Sequence, residues 1–339
     1  MQSVEDACIL ELLSREKDAG IQIFTDGEFR RRNFMSDFVD SVEGVDTGVD
    51  ADGYRWQHAA SVQDKASSIA GIATGKIVSR RRMTGHEAPF LLANSPGPAK
   101  ITLPSANQFP MLLFQKGVTD KVYPNHSALL ADIAAIVSAE VALLAREGLS
   151  YIQIDAPRYS WYIDPKWRQK LRADTGIDPE QALDEAIEAD NLAFDAARKA
   201  STSDGLVLAI HLCRGNNRGN WYAEGGYDAI AEKLFSGLRV DRFLLEYDDE
   251  RSGSFEPLRF VPKDKTVVLG LVSSKRPELE NADDLLRRID EAAKLIPLEK
   301  LALSPQCGFA SVAEGNPVTE DVQWAKMRLV SDVARQVWG

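Results

Sequence analysis

Short apolar runs alternate with helix-like segments along most of this 339-residue chain, and this alternation constrains the fold most strongly. Helical apolar spacing is clearest in Ser127–Arg146 and Pro179–Lys199. The runs are rich in branched residues, as strands covered on both faces are. Such a βα repeat predicts a parallel α/β sheet or barrel. The runs are Lys100–Leu103, Tyr151–Asp155, Leu206–Leu212, Arg242–Glu246, Val267–Val272 and Lys300–Ser304.

A seventh apolar run, Ile21–Thr25, follows a helix-like segment, Val4–Gly20, whose final glycine is typical of a helix C-cap. A (β/α)8 barrel needs eight strands, and the runs supply one fewer. We therefore predict an α/β TIM-type barrel that lacks its first strand at the N-terminus. An open doubly wound sheet is the alternative. Polar residues at the strand ends favour the barrel, whose active face forms there.

Residues 41–98 interrupt the alternation. They contain many Gly, Asp and Ser residues and a short strand-like run, Lys76–Arg80. We predict that they form an inserted arm, built from a β-hairpin and a helix, that packs on the barrel. With this arm included, residues 1–339 are expected to form a single catalytic barrel domain.

The net charge of the chain limits the kinds of partner that it is expected to bind. Lys and Arg number 40 and Asp and Glu number 51, which gives a net charge of −11. Nucleic acid and anionic membranes both attract basic surfaces, so neither is an expected partner. No apolar run approaches the ~20 residues of a bilayer span, and no signal peptide opens the chain. We predict a cytoplasmic protein that acts on small molecules, and a homo-oligomer is left open.

Polar residues follow the predicted strands at the end that forms the active face of a barrel. His211 and Cys213 are two positions apart on one strand, so their side chains face the same side. Glu246 and Cys307 end two later strands. Imidazole, thiolate and carboxylate groups are zinc donors, so the four could form one zinc site. Ordinary buried thiols and a hydrogen-bonded histidine are the alternative, while the odd count of three cysteines does not suggest disulfides.

Separated motifs give the chain a family resemblance. In their order they resemble the catalytic barrel of cobalamin-independent methionine synthase and its single-barrel relatives. The resemblance implies a (β/α)8 barrel with Zn²⁺ as cofactor, bound by His211, Cys213, Glu246 and Cys307. The motifs are TDGEFRRRNF (Thr25–Phe34), YIQIDAP (Tyr151–Pro157), HLCRGN (His211–Asn216), FLLEYDDE (Phe243–Glu250) and SPQCGF (Ser304–Phe309).

The resemblance also implies a reaction. It is the transfer of a methyl or other alkyl group to a thiol, with homocysteine as the expected acceptor and a zinc-bound thiolate as the nucleophile. Two thiolates and a carboxylate would give the zinc site a net charge of about −1, which suits alkyl transfer to sulfur better than activation of water. Glu28 and Asp155 are the expected catalytic residues, and the resemblance implies that they bind the amino group of the thiol substrate.

Three further residues are expected to contact substrate: Asp26, Trp161 and Ser273. Each of the acidic and aromatic candidates has an alternative role. Asp26 could be a turn residue before Gly27, and Asp155 a helix cap. Glu28 could pair with one of the arginines at 30–32, and Trp161 could belong to the core instead of an aromatic wall.

Departures from the family pattern bear on the methyl donor. Ala156 stands where the family has a Glu, and Ser273, Ser274 and Lys275 stand where it has a His. No Trp occurs between Trp56 and Trp161, so a stacking platform for a pterin is missing from its expected place. These residues do not favour a folate donor.

Two other functions remain as alternatives. An epoxyalkane:coenzyme M transferase would use a zinc thiolate to open an epoxide. Its sulfonate substrate calls for basic contacts, whereas Glu28 and Asp155 favour an amino-thiol. A non-catalytic zinc-binding barrel is the other alternative. Dinucleotide and P-loop nucleotide sites lack their glycine motifs here.

Overall fold

The computed structural model describes residues 2–47, 71–312 and 315–339. Its strands are β1 (Val42–Asp46), β2 (Ile72–Ser79), β3 (Lys100–Pro104), β4 (Tyr151–Asp155), β5 (Val207–Leu212), β6 (Arg242–Glu246), β7 (Thr266–Val272) and β8 (Leu301–Pro305). Its helices are α1 (Gln2–Asp18), α2 (Ser36–Ser41), α3 (Ala88–Asn94), α4 (Pro110–Leu113), α5 (His126–Arg146), α6 (Ser160–Ile163), α7 (Pro165–Thr175), α8 (Pro179–Ala200), α9 (Ala231–Gly237), α10 (Ala282–Ala292) and α11 (Glu320–Trp338).

Strands β3 to β8 form one parallel sheet in chain order. Apolar residues inside the central strands are fully buried, as at Ile152, Ile210 and Phe243, because helices cover the sheet, whereas most of β8 is partly buried. All six predicted runs therefore form strands, with ends that differ by at most one residue from the sequence estimate. Because the strands are parallel, their carboxyl ends meet at a single edge.

The predicted strand Ile21–Thr25 forms only a single parallel bridge, between Phe24 and Ala99 at the β3 edge. Phe24 donates its N–H to Pro98 O and accepts from Lys100 N, at 2.9 and 2.8 Å. The ladder stops there because the N–H and hydroxyl of Thr25 donate to the Glu16 carboxylate of α1. The prediction of a full strand was thus wrong in extent, although the segment lies beside the sheet as expected.

The inserted arm contains the predicted hairpin and helix. Strands β1 and β2 pair antiparallel, and α3 follows them. A bulge lies at Gly44, whose φ of +90° and close approach to Lys76 O, which a Cβ would clash with, require glycine. The arm is attached to the helical layer because Tyr123 Oη accepts from Ile77 N and donates to Asp132 of α5. Residues 48–70 of the predicted arm lie outside the described residues.

Helix α5 packs against α8 on the outside of the sheet. Contrary to the expectation that no apolar run approaches a bilayer span, α5 has the length and apolar composition of one, alone among the described helices, but half of its most apolar window is buried within the protein. Its N-terminus is capped by the Asn125 side chain, which accepts from Ala128 N. Helix α8 starts in the same way, with Asp178 as N-cap and Pro179 in the first turn. Helix α5 is therefore a core helix of the α/β structure.

Candidate metal and substrate site

A histidine and two cysteines meet at the carboxyl edge of the sheet. His211 lies near the end of β5, Cys213 directly follows that strand, and Cys307 follows β8. One donor atom of each residue lies within 4.8 Å of the other two. His211 and Cys213 are buried, Cys307 is partly buried, and both cysteines are free thiols. Three of the four predicted metal ligands are thus brought together.

The ionisable groups of this cluster shift one another's pKa values. Hydrogen bonds from Cys213 and His211, together with the nearby Lys275 ammonium, hold the pKa of Cys307 well below its usual range. The same hydrogen bond to Cys307, with burial, raises the pKa of Cys213. Burial alone would lower the pKa of His211, but its hydrogen bond to Cys307 raises it. The protein therefore stabilises a thiolate at Cys307.

The donor set fits a soft divalent metal ion. His211 Nε2 is buried and has no hydrogen-bond partner among the described residues. A buried polar atom without a partner destabilises a fold unless something else binds it. Imidazole nitrogen combined with two cysteine sulfurs is a ligand set that Zn²⁺ prefers. The residues at this edge could therefore hold Zn²⁺.

Glu246, the fourth predicted ligand, is placed differently. It ends β6 and is completely buried, but each carboxylate oxygen has protein partners. Oε2 accepts from Arg214 N at 2.6 Å, and Oε1 accepts from Arg251 Nη2 at 2.6 Å and from Lys275 Nζ at 3.3 Å. Burial would raise its pKa, but the Lys275 and Arg251 cations lower it to about 2. Glu246 is therefore an ionised carboxylate within a cluster of cations.

Asp155 ends β4 beside the metal donors. Its Oδ1 accepts from Gln153 Nε2 at 2.7 Å. Burial raises the pKa of Asp155 to about 6, the nearby His211 opposes this increase, and the charge of Glu28 adds to it. The alternative role as helix cap is not observed, because the 3-10 turn that follows is capped at Ala156. Asp155 is thus a partly buried acceptor close to both His211 and Glu28.

Glu28 reaches the same region from the N-terminal segment. Its Oε1 accepts from Thr102 Oγ1 of β3 and lies 3.7 Å from Arg31 Nη1. The guanidinium of Arg31 forms a closer, two-point contact with Glu87, so Glu28 is only its secondary partner. Glu28 has a φ of +55°, a left-handed conformation that is strained for a residue with a side chain. The turn therefore presents a carboxylate at a conformational cost.

Asp26 sets the turn that presents Glu28. Its Oδ1 accepts from Glu28 N at 3.0 Å, which is the turn role anticipated as its alternative. Its other oxygen, Oδ2, is buried and has no hydrogen-bond partner in the described part of the chain. Burial raises the pKa of Asp26, and the Arg31 cation opposes this increase.

Trp161 and Ser273 lie in packed surroundings. Trp161 is 1% exposed, stacks on Trp167 with ring centroids 4.4 Å apart, and lies under the Arg158 guanidinium. This is the core role that was its alternative. Ser273 is also buried, and its hydroxyl donates to Asp248 Oδ2 at 2.6 Å. Neither side chain is exposed to the site, so the roles of both residues as substrate contacts stay predictions.

A second group of potential metal donors lies near the arm: Asp37, His86 and Glu87. The Arg31 guanidinium already occupies the space beside it and pairs with both Asp37 and Glu87. A cation would meet this fixed positive charge, so the group is a charge-balanced structural cluster.

The sequence did not lead us to expect that Arg251 and Lys275 contact Glu246. Arg251 follows three acidic residues in the segment after β6, and Lys275 follows β7. Both side chains are under a tenth exposed and contact Glu246. The signal was available, since a buried strand-end glutamate followed by two aspartates requires nearby cations.

A parallel βα sheet that gathers imidazole, thiol and carboxylate groups at its carboxyl edge defines an enzyme scaffold of the TIM-barrel type. The chain belongs to the family described as cobalamin-independent synthase, catalytic domain, whose model matches residues 2–335.

Individual relatives agree with this assignment. An uncharacterized Bacillus subtilis (strain 168) protein, YxjH, is 40% identical over all of this chain and 86% of its own length. The Pyrococcus abyssi protein named methionine synthase is 24% identical, over 91% of this chain and 76% of its own. A Listeria monocytogenes structure described as a candidate vitamin-B12-independent methionine synthase is 28% identical, with a TM-score of 0.71 over all of this chain and 88% of its own. The predicted family and fold class are confirmed.

Proposed function

We propose that this chain transfers a methyl group to the sulfur of an amino-acid thiol, with homocysteine as the acceptor and Zn²⁺ as the cofactor. The observation that carries the proposal is the meeting of His211, Cys213 and Cys307 within 4.8 Å at the active edge of the sheet. When bound there, Zn²⁺ makes a substrate thiol available as its thiolate at neutral pH. Family membership supports the same reaction class.

The protein's own residues account for recognition of the amino group. Asp155 is partly buried beside the metal donors, and Glu28 lies close enough for its charge to shift the pKa of Asp155. A substrate ammonium placed between them would relieve the repulsion of the two carboxylates and form charge-assisted hydrogen bonds. A thiol with a sulfonate in place of the amine would meet the same two acids unfavourably, so the site favours an amino-acid thiol over coenzyme M.

The reaction is a displacement at carbon. The sulfur lone pair forms the new S–CH₃ bond, and the bond between the methyl carbon and its donor breaks with the electron pair leaving on the donor. The donor takes up a proton as it leaves if its basicity requires one. We propose the donor only as an activated methyl group, because the aromatic platform expected for a pterin is missing from its usual place.

The deciding experiment measures zinc per chain in reduced, zinc-supplemented protein. Wild type is expected to hold about one zinc, Cys213→Ser to lose it, and Cys8→Ser to keep it, because Cys8 is an exposed thiol outside the cluster. Zinc-loaded protein is then tested for methyl transfer to homocysteine and to coenzyme M. Wild type without zinc, or equal loss in both cysteine variants, would contradict the proposed site.

A further inference from the structure

Glu28 has one carboxylate oxygen engaged by the protein and one available. Oε1 accepts from Thr102 Oγ1, whereas Oε2 accepts no hydrogen bond from the described residues. The Glu28 side chain is 33% exposed, whereas that of the nearby Arg31 is 4% exposed. We propose that Arg31 is a positioning residue, which acts through Thr102 to hold the Glu28 carboxylate for the amino group of the substrate. This inference rests on the proposed function.

Arg31 is anchored independently of Glu28. Its Nε donates to Glu87 Oε2 at 2.9 Å and its Nη2 donates to Glu87 Oε1, so the guanidinium meets this buried carboxylate at two points. Its Nη2 also donates to the backbone oxygen of Thr102 at 2.9 Å. A planar guanidinium with a two-point partner has one preferred orientation. Arg31 therefore supplies a fixed donor that can orient a neighbouring hydroxyl.

Thr102 connects this anchor to Glu28. It lies in the middle of β3, and its hydroxyl accepts from Arg31 Nη1 at 3.2 Å. A hydroxyl has a single proton, and a guanidinium can only donate. Because Arg31 donates to this hydroxyl, the Thr102 proton is left for Glu28 Oε1. The distance of 3.7 Å from Arg31 Nη1 to Glu28 Oε1 is too long for a direct hydrogen bond, so Thr102 is the link between them.

The backbone around Glu28 is fixed by the same turn. Arg31 N donates to Glu28 O at 2.9 Å, and Asp26 Oδ1 accepts from Glu28 N. A left-handed residue such as Glu28 persists only where its surroundings determine its conformation. Its N–H, its backbone oxygen and one carboxylate oxygen are all bound within the protein. The second carboxylate oxygen is therefore the part of Glu28 that can bind a ligand.

The test measures the binding of two thiols to zinc-loaded protein by calorimetry. They are homocysteine and 4-mercaptobutyrate, which is homocysteine without its amino group. Wild type should bind homocysteine about 10- to 100-fold more tightly, because the ammonium adds charge-assisted hydrogen bonds. Thr102→Val keeps the shape of the side chain without its hydroxyl and should reduce this preference about tenfold. Thr102→Ser restores the hydroxyl and should restore the wild-type preference.

A purely structural role of Thr102 predicts a different result. It would weaken the binding of both thiols alike, so an unchanged preference in Thr102→Val would overturn the inference. In a Glu28→Gln background, Thr102→Val should reduce the preference little further, because the carboxylate through which the hydroxyl acts is gone. A full additional tenfold loss in that background would also overturn the inference.

Arg31→Lys tests the anchor itself. A lysine can pair with Glu87, but its ammonium lacks the planar fork that reaches Glu87 and Thr102 together. The preference for homocysteine should therefore fall as it does in Thr102→Val, and a wild-type preference would overturn the role of Arg31. Wild type that binds neither thiol would overturn the proposed function and the inference with it. Equal binding of both thiols by wild type would overturn recognition of the amino group and leave the zinc site standing.

Discussion

Asp155 lies directly opposite His211 across the parallel pair of β4 and β5. Partners in a parallel ladder point their side chains to the same face of the sheet. The acceptor proposed for the substrate amine and a donor proposed for the metal are therefore held by adjacent backbone positions. The span between the amine and the sulfur of the substrate is set by two hydrogen-bonded strands, which are stiffer than loops.

Asp155→Asn is expected to raise the KM for homocysteine about 10- to 100-fold, since a charge-assisted hydrogen bond contributes about 1.5–3 kcal/mol. The zinc content should stay unchanged, because Asp155 is outside the donor group. Steady-state kinetics at saturating methyl donor measure the effect. Asp204→Asn, at an exposed position, serves as the control. An unchanged KM in the Asp155 variant would remove this residue from the substrate site.

Two variants of Glu28 separate the effect of conformational strain from the effect of substrate binding. Glycine accepts a φ of +55° without strain, whereas alanine does not. Glu28→Gly should therefore be more stable than Glu28→Ala by about 1 kcal/mol in urea unfolding. Both variants should raise the KM for homocysteine equally, because both lose the carboxylate. Equal stability of the two variants would show that the turn relaxes in solution.

Stability should fall with rising pH because of Asp190. This carboxyl is buried, accepts from Ser105 Oγ and Tyr159 Oη, and has a pKa raised by burial to about 7. Between the unfolded value of 3.8 and about 7, the folded state binds more protons than the unfolded state. The free energy of unfolding therefore decreases across this window, by up to about 4 kcal/mol from this group.

Urea unfolding at pH 5 and pH 8 measures this effect. Asp190→Asn keeps the shape of the side chain without its charge, so the difference in stability between the two pH values should shrink. Asp204→Asn, which changes an exposed carboxyl, should leave the difference as it is in wild type. If Asp190→Asn shows the wild-type slope, another group carries the pH dependence.

Variants of Trp161 test whether its side chain belongs to the core or lines the substrate site. Trp161→Ala should lower the free energy of unfolding by about 3–5 kcal/mol, because a fully packed indole is removed. Trp161→Phe should lose less and leave the KM for homocysteine unchanged. A large change in KM for Trp161→Phe, without loss of stability, would place the ring at the substrate instead.

The alternation of runs and helices was enough to predict where the strands end. The structure brings His211, Cys213 and Cys307 together because parallel strands bring their carboxyl ends together, and their role as metal ligands stays a prediction. The orientation of the Glu246 carboxylate was not predictable in the same way. Its partners Arg251 and Lys275 come from segments after β6 and β7, and such segments carry no periodic signal.

The sequence pattern also did not predict two local features of the structure. Ile21–Thr25 has the branched residues of a strand, yet only Phe24 pairs, because Glu16 takes the next N–H group. Trp161 follows a strand end, where both a substrate wall and a packed core contain aromatic residues. Only its contact with Trp167 decides between them. Competition for hydrogen-bond donors and three-dimensional packing are properties that a sequence pattern does not report.

The donor group joins two distant parts of the chain, since His211 and Cys213 belong with β5 and Cys307 with β8, the last strand of the sheet. A nascent chain that has docked its strands only as far as β7 offers two donors and no third. If Zn²⁺ binds this group as proposed, its uptake would coincide with docking of the final βα unit. A bound ion would then link β5 to the segment after β8 and protect that C-terminal segment from proteolysis. Removal of the ion by a chelator would expose that segment first.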